Sequence, residues 1–226
     1  MYQIAIDGPS GAGKSTVAKA LAKDLGIVYV DTGALYRAVG YYVREKGIDP
    51  KSGPDVEGIL PEITVTIRYE NGAQHVLLNG EDLGDRIRQP DISMYASAVS
   101  AIPAVRAFLL ETQRSIAREN NVVMDGRDIG TVILPNADVK IFLSASSEAR
   151  AIRRYEELKA KGIETSLEEV LADMERRDKA DRERDVAPAV AAPDAVPMDN
   201  SGLDAEQTLE CIKQIIFKKI PSFKTK

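Results

Sequence analysis

Residues 2–15 read Tyr2-Gln3-Ile4-Ala5-Ile6-Asp7-Gly8-Pro9-Ser10-Gly11-Ala12-Gly13-Lys14-Ser15, a short apolar run followed at once by the phosphate-binding pattern G-x-x-x-x-G-K-[ST]. The glycines let the chain turn tightly, so that successive backbone N–H groups point inward. From that turn Lys14 reaches β- and γ-phosphate oxygens and the Ser15 hydroxyl can sit on Mg²⁺. A strand precedes the loop. After it, Thr16 opens a run in which Val17, Leu21 and Leu25 share one helical face before Gly26 ends it. Gly8, Pro9, Ser10, Gly11, Ala12, Gly13, Lys14, Ser15 and Thr16 are therefore expected to cradle a nucleotide's phosphates.

Outward from this loop, apolar strand candidates at 2–6, 27–30, 122–125, 139–143 and 195–198 alternate with helical patterns near 14–25, 33–46, 103–119, 147–161, 166–185 and 204–219. Such alternation predicts an α/β fold, a five-stranded parallel sheet covered by helices on both faces. Ligands in such folds sit beyond the carboxyl ends of the strands. Polar clusters follow three of them: Asp7-Gly8, Asp31-Thr32-Gly33 and Asp125-Gly126-Arg127-Asp128. Those three strand ends are expected to converge on one site.

Two segments break the alternation. Residues 63–83 alternate as Ile63-Thr64-Val65-Thr66-Ile67-Arg68-Tyr69, turn at Asn71-Gly72, continue through Val76-Leu77-Leu78 and turn again at Asn79-Gly80. This is a small antiparallel β insert, bounded at 61–90 by Pro61 and Pro90. His75, the only histidine, is placed there on the surface and given no chemistry. The second segment, 186–194, carries Pro188 and Pro193 and cannot continue a helix.

A chain of 226 residues, 44% hydrophobic, holds one substantial core, so 1–226 is read as a single domain. No run approaches 18 apolar residues and no signal segment precedes the first strand, which predicts a cytoplasmic protein without a membrane partner. Cys211 is the sole cysteine and sits in an apolar helical stripe, so no internal disulfide forms. A monomer is the default, there being no large unexplained apolar stripe. The basic tail 218–226 is expected to fray.

The net charge of −5 argues against a nucleic acid polymer as partner. Arginines are nonetheless concentrated: Arg150, Arg153, Arg154, Arg176, Arg177, Arg182 and Arg184 fall within one stretch. They suit a small polyanion enclosed in a cleft, or else salt-bridged surface helices, since acidic residues are interleaved throughout. Gly162 divides the stretch into two helices, and Ser166 and Glu169 have the spacing of a capping box. The region 147–185 thus reads as a mobile helical lid, with Arg153 and Arg154 the candidates for reaching a transferring phosphoryl group on closure.

The phosphate loop alone does not choose among GTPases, ATP-driven machines and small-molecule kinases. The chain has no Asn-Lys-x-Asp stretch to read guanine, no apolar strand ending in Asp-Glu to position water, and little room for a motor. A kinase for a small acceptor, with ATP as donor, fits best. A nucleotide-dependent switch is the alternative from another class.

Here the sequence resembles the bacterial type of cytidylate kinase, in the nucleoside monophosphate kinase superfamily, from Met1 to about Ile216. The resemblance is carried by Asp7-Gly8-Pro9-Ser10-Gly11, Asp31-Thr32-Gly33-Ala34-Leu35-Tyr36-Arg37, Ser97, Pro103-Ala104-Val105-Arg106, Asp125 to Val132 and Arg177-Asp178-Lys179-Ala180-Asp181-Arg182. The insert matches the element near the acceptor site that marks the bacterial type. Thr32 departs from the serine found in many members; it keeps the hydroxyl and adds a methyl.

The resemblance implies reversible phosphoryl transfer from MgATP to CMP or dCMP, with UMP or another small acceptor as the nearest rival. Cytosine offers an N4 donor beside the N3 and O2 acceptors, which Asp128, Ser97 and Arg106 would complement; a carboxylate on N4 is the expected pairing. Arg37 and Arg127 would hold the acceptor phosphate. Asp181 would bind the sugar hydroxyls with Arg177 and Arg184 beside it, the three sharing one face if all lie on a helix. Blander roles stand against these: a helix N-cap for Asp128, a surface cation for Arg106, a plain polar position for Ser97, and an i, i+4 surface bridge for Arg177 and Asp181.

Overall fold

The computed structural model describes residues 1–70 and 72–225. Strand β1 (Gln3–Asp7) runs into α1 (Lys14–Leu25) and β2 (Val28–Asp31) into α2 (Thr32–Glu45). A short α3 (Gly53–Ile59) then leads to β3 (Val65–Glu70), β4 (Ala73–Leu78) and β5 (Glu81–Asp82). Helices α4 (Pro90–Val99) and α5 (Pro103–Glu119) return the chain to β6 (Val122–Gly126) and β7 (Val139–Ser144). After them come the helical pair α6 (Ser147–Ala160) and α7 (Leu167–Glu183), then β8 (Val196–Asp199) and α8 (Ala205–Lys219).

Five strands form a parallel sheet in the order β2-β6-β1-β7-β8. Ile4, Ala5, Ile6, Val122, Val123 and Met124 are fully buried. Such unbroken apolar runs are what strands covered on both faces require. On one face Val17 and Leu21 of α1 pack with Ile212 and Ile216 of α8 against Ile4 and Ile6. On the other, Ala117, Ile129 and Ile133 pack on Ala5, Val30 and Met124.

The order β2-β6-β1 makes neighbours of the three strands whose ends carry the polar clusters. In register, Asp31 lies beside Asp125, and Gly126 beside Asp7. Both β1 and β2 run one residue further than the apolar pattern suggests, so Asp7 and Asp31 are themselves the last strand residues.

Strands β3, β4 and β5 form a separate antiparallel sheet. Its inner residues Val65, Val76 and Leu78 join a core shared with α2, α4 and α5. Of the expected first turn, Asn71 lies outside the described residues, while Gly72 has φ +76° and Glu70 pairs with Ala73. His75 is half-exposed, with Nδ1 2.7 Å from Asp82 Oδ2.

Several expectations need correcting. Helices α3 and α4 were not among the helical patterns read above; each has proline in its first turn, where the missing N–H costs nothing. Arg184 does not extend α7: it adopts φ −65°, ψ 143° just past the helix end. There Ala189 N–H donates to the Asp181 carbonyl, capping the last turn. The tail does not fray from 218: α8 continues to Lys219, and Ile220 and Phe223 are buried. The Tyr2 and Phe223 rings lie 5.1 Å apart, which docks the end of the chain on its beginning; Lys226 is outside the described residues. Segment 186–194 carries neither helix nor strand, as its prolines dictate, and Cys211 is half-buried on α8.

No single helix among the described residues is long and apolar enough to cross a membrane.

Candidate functional site

A cavity of about 720 Å³ opens beyond the carboxyl ends of β1, β2 and β6. The phosphate loop forms one end of it. Gly8 adopts φ +150°, and a Cβ there would stand 1.9 Å from the Leu143 carbonyl oxygen, so only glycine lets the loop leave β1 so close to β7. Gly11, at φ +72°, sits under α7, where a Cβ would meet Met174 Cε at 2.6 Å. Ala12 is fully buried, and Gly13, at φ +85°, is the N-cap of α1. Its carbonyl accepts from Val17 N–H, starting the helix whose N-terminus favours an anion.

Lys14 is buried and donates to the Pro9 carbonyl at 2.6 Å. Burial, then the positive charge of Arg127, pull its ammonium down to about 7, against the opposing carboxylates of Asp125 and Asp7. Ser15 donates to Asp125 Oδ2 at 2.7 Å, Tyr29 donates to Oδ1 at 2.8 Å, and Thr32 donates to the Asp125 carbonyl at 2.8 Å. Burial and the neighbouring Asp31 raise the Asp125 carboxyl. Asp7, pushed up to about 6 by burial, accepts from Ile129 and Gly130 N–H and fixes the turn after β6. Thr16 is exposed and lies outside the cavity lining.

Ser15 and Asp125 present two hard oxygen donors side by side. Among the described residues no group of three or more His, Cys, Asp or Glu could hold a metal alone. The pair therefore fits an ion such as Mg²⁺, which takes few protein ligands and completes its shell with water and phosphate oxygens.

At the other end of the cavity Arg106 and Asp128 form a buried ion pair through Nη2 and Oδ2, with side chains only 8% and 5% exposed. Arg106 also donates to the Ser100 carbonyl at 3.1 Å and lies over the Tyr36 ring, 5.5 Å from its centroid. Arg106 is thus no surface cation; Asp128 does stand at the N-cap position of the one-turn helix 129–133, but its side chain makes no capping hydrogen bond. Arg184 Nη2 stands 3.6 Å from Asp128 Oδ1, while its Nη1 and Nε reach Ser100 Oγ and the Ala187 carbonyl. Leaving the helix is what allows Arg184 to turn inward and still join Arg177 and Asp181.

Between the two ends lie Arg37, Arg127, Arg177 and Asp181. Asp181 accepts from Ser97 Oγ at 3.1 Å and from Arg127 Nε at 2.9 Å. Burial alone would raise its carboxyl, but Arg127, Arg177 and Arg184 together hold it below the usual range. Arg177 is pulled down to about 10 by burial and by Arg127. It forms no surface bridge with Asp181. The buried Nε atoms of Arg37 and Arg177, with Arg184 Nη2, lack hydrogen-bond partners. Arg37, Arg127, Arg177 and Arg184 all line the cavity, and four guanidinium groups around one cavity suit an anion.

The helical pair divides the arginine cluster. Arg150 and Asp178 form a buried pair that grips the phosphate loop: Ser10 N–H donates to Asp178 Oδ1 at 3.1 Å, and Arg150 donates to the Ser10 carbonyl at 2.8 Å. Arg154 lines the cavity and pairs with Glu157 on its own helix. Arg153 does not line it; its guanidinium is taken up by Asn200 and the Leu203 carbonyl beyond β8. The Ser166–Glu169 capping box forms as expected.

Sequence reasoning gave no role to Asp125, Asp178, Arg150 or Tyr29. The first two lie in the polar runs Asp125-Gly126-Arg127-Asp128 and Arg177-Asp178-Lys179, but their partners Ser15 and Ser10 lie far away in the chain.

The family model described as cytidylate kinase matches residues 4–218. The chain is 50% identical over 214 residues to a cytidylate kinase of Fervidobacterium nodosum, covering 95% of each chain. It is 49% identical over 217 residues to one of Thermosipho melanesiensis, covering 96% of this chain and 97% of that one. Among solved structures, an uncharacterized protein from Eubacterium ventriosum shares the fold, with TM-score 0.51 and 15% identity over 96% of this chain and 98% of that one.

Proposed function

The chain belongs to the cytidylate kinase family, whose members are ATP-dependent phosphotransferases, and from that premise we propose that it moves the γ-phosphoryl group of MgATP reversibly onto CMP and dCMP. An oxygen of the acceptor phosphate attacks the γ-phosphorus in line; that P–O bond forms as the bond to the β-phosphate oxygen breaks, and ADP leaves. The acceptor oxygen is largely ionised near neutral pH, so no general base is needed. Catalysis reduces to alignment and charge stabilisation.

In this reading the loop from Gly8 to Ser15 holds the donor phosphates and Lys14 follows the γ-phosphoryl group. Ser15 and Asp125 would ligate Mg²⁺, which offsets phosphate charge when bound. Arg37 and Arg127 receive the acceptor phosphate, a role supported by their place in the cavity lining, with Arg177 and Arg184 beside Asp181. Asp181 meets the sugar. Asp128 accepts from the cytosine N4 amine while Arg106 donates to its N3 and O2 side. Uracil presents an acceptor and a donor where cytosine presents the reverse, leaving both buried side chains facing like partners. The helical pair 147–185 acts as a lid whose Arg154 reaches the transferring group on closure. Arg153 does so only if it first releases Asn200.

The observation that carries the reading is the buried Arg106–Asp128 pair at the end of β6, in the same cavity as the phosphate loop. The test is chromatographic detection of CDP from CMP and MgATP, beside an acceptor-free control. CDP formed in step with ADP is expected. ADP that accumulates equally without acceptor would instead identify a nucleotide-hydrolysing switch.

A further inference from the structure

Strand β2 is an edge of the parallel sheet, and its residues alternate in which side their backbone faces. Val28 N–H turns inward to the Asn121 carbonyl, so Tyr29 and Asp31 turn their N–H and C=O groups outward. Among the described residues no strand meets them there. The inserted sheet supplies side chains instead: Tyr69 OH donates to the Tyr29 carbonyl at 3.1 Å, and Gln74 takes both polar groups of Asp31. Gln74 Oε1 accepts from Asp31 N–H at 2.8 Å, and its Nε2 donates to the Asp31 carbonyl at 3.1 Å. One primary amide thus stands in for a paired strand residue.

Asp31 is more than a strand end. Its Oδ1 accepts from Ala34 N–H at 3.0 Å as the N-cap of α2, and its Oδ2 accepts from Arg37 Nη2 at 2.7 Å. Among the described residues that is the one hydrogen bond of the Arg37 side chain, whose Nε is buried without a partner. The placement of Arg37 in the cavity therefore depends on Asp31, and that of Asp31 on Gln74.

We infer that Gln74 is a positioning residue for the acceptor phosphate, through which the inserted sheet sets the Asp31 carboxylate and hence the Arg37 guanidinium. The role rests on the proposed reading of Arg37 and gives the insert a task in binding. Gln74 touches no substrate itself. Its effect is confined to ligands that carry the phosphate.

The test compares dissociation constants for CMP, and inhibition constants for cytidine against CMP turnover, in the unaltered chain and in Gln74→Met, which keeps length and loses both bonds. With two hydrogen bonds removed, CMP binding is expected to weaken about tenfold. Cytidine inhibition and the KM for ATP should move less than about twofold. In an Arg37→Ala background, Gln74→Met should cause no further loss of CMP affinity. Tyr69→Phe, which frees the other tie of the insert to β2, should leave the ratio of CMP to cytidine affinity unchanged. Should Gln74→Met fail to fold, Gln74→Glu, which can still accept from Asp31 N–H but cannot donate to its carbonyl, is expected to show the same selective loss. Equal losses for CMP and cytidine, an undiminished CMP affinity, a full further loss in the Arg37→Ala background, or the same ratio change in Tyr69→Phe would each overturn the positioning role while leaving CMP turnover by the unaltered chain intact. No turnover of CMP by the unaltered chain would overturn the reading beneath it and this role together.

Discussion

The two walls of the cavity carry the same kinds of side chain in different states. On the wall built from strand ends and α5, Lys14, Thr32, Arg106, Asp125 and Asp128 are all at most 8% exposed, and each has a fixed partner. On the helical wall, Arg154 and Arg176 are 33% and 76% exposed and pair with Glu157 and Asp173 three residues away on their own helices. Exposed i, i+3 pairs contribute a few tenths of a kcal/mol and exchange readily with water. A buried pair that loses one member strands the other, at a cost of about 3–5 kcal/mol. The strand-end wall is thus set before any ligand arrives, whereas the outer charges of the helical wall are free to change partners. In the proposed reading the first wall reads the base, while the second closes the site and also brings Asp181 to the acceptor.

The largest expected difference between the walls is in turnover. Lys14→Ala should lower kcat by about a thousandfold or more, as removal of a preorganised charge at the reacting group does, while the Kd for CMP stays within about twofold. Steady-state kinetics and calorimetry on the same preparation check both. A folded Lys14→Ala protein that kept most of its rate would remove the donor end of the site from the chemistry.

Stability gives the next contrast. Asp128→Ala leaves Arg106 buried without its carboxylate and is expected to lower unfolding free energy by about 3–5 kcal/mol in a urea titration. Arg154→Ala should change it by less than about 0.5 kcal/mol, with its effect appearing in kcat instead. Equal destabilisation by the two would erase the distinction between a set wall and an adaptable one.

A smaller effect tests the charge state of the set wall. The Lys14 ammonium is pulled down to about 7 from its ordinary 10.5 by burial and by Arg127, so at pH 8 it is mostly neutral in the free protein. Bound polyphosphate favours the charged form. ATP binding at pH 8 should therefore take up as much as about one proton, seen as a dependence of the calorimetric enthalpy on buffer ionisation heat. Between pH 7 and 10.5 the unfolded chain holds a proton that the folded chain has lost, so stability of the free protein should rise through that window as far as Lys14 governs it. Binding without proton uptake would mean that Lys14 is already charged.

What the sequence disclosed differs between the same two walls. The phosphate loop and the ends of β1, β2 and β6 were readable because adjacent residues carry the signal: glycines at fixed offsets, then apolar runs closed by aspartates. The partners of those residues were not, because Asp125 and Ser15, or Ser10 and Asp178, meet only through the fold. On the helical side, composition showed an arginine cluster without saying which members turn inward. Helical spacing placed Arg177 and Asp181 together correctly, but it counted Arg184 on the same helix, which stops one residue earlier. The reading of 147–185 as a lid sent Arg153 toward the cavity, whereas Asn200 holds it outside. The insert was visible from its alternation and turns. Its link to β2 was not, since a glutamine at the start of a strand gives no sign that it will pair with another strand's edge.

The most direct measurement is the ratio of kcat/KM for CMP to that for UMP, taken with MgATP on the purified full chain. Buried groups left facing like partners discriminate by orders of magnitude, so a ratio of about one hundred or more in favour of CMP is expected. A ratio near one would contradict base reading by Arg106 and Asp128, and with it the view that the strand-end wall is built to recognise.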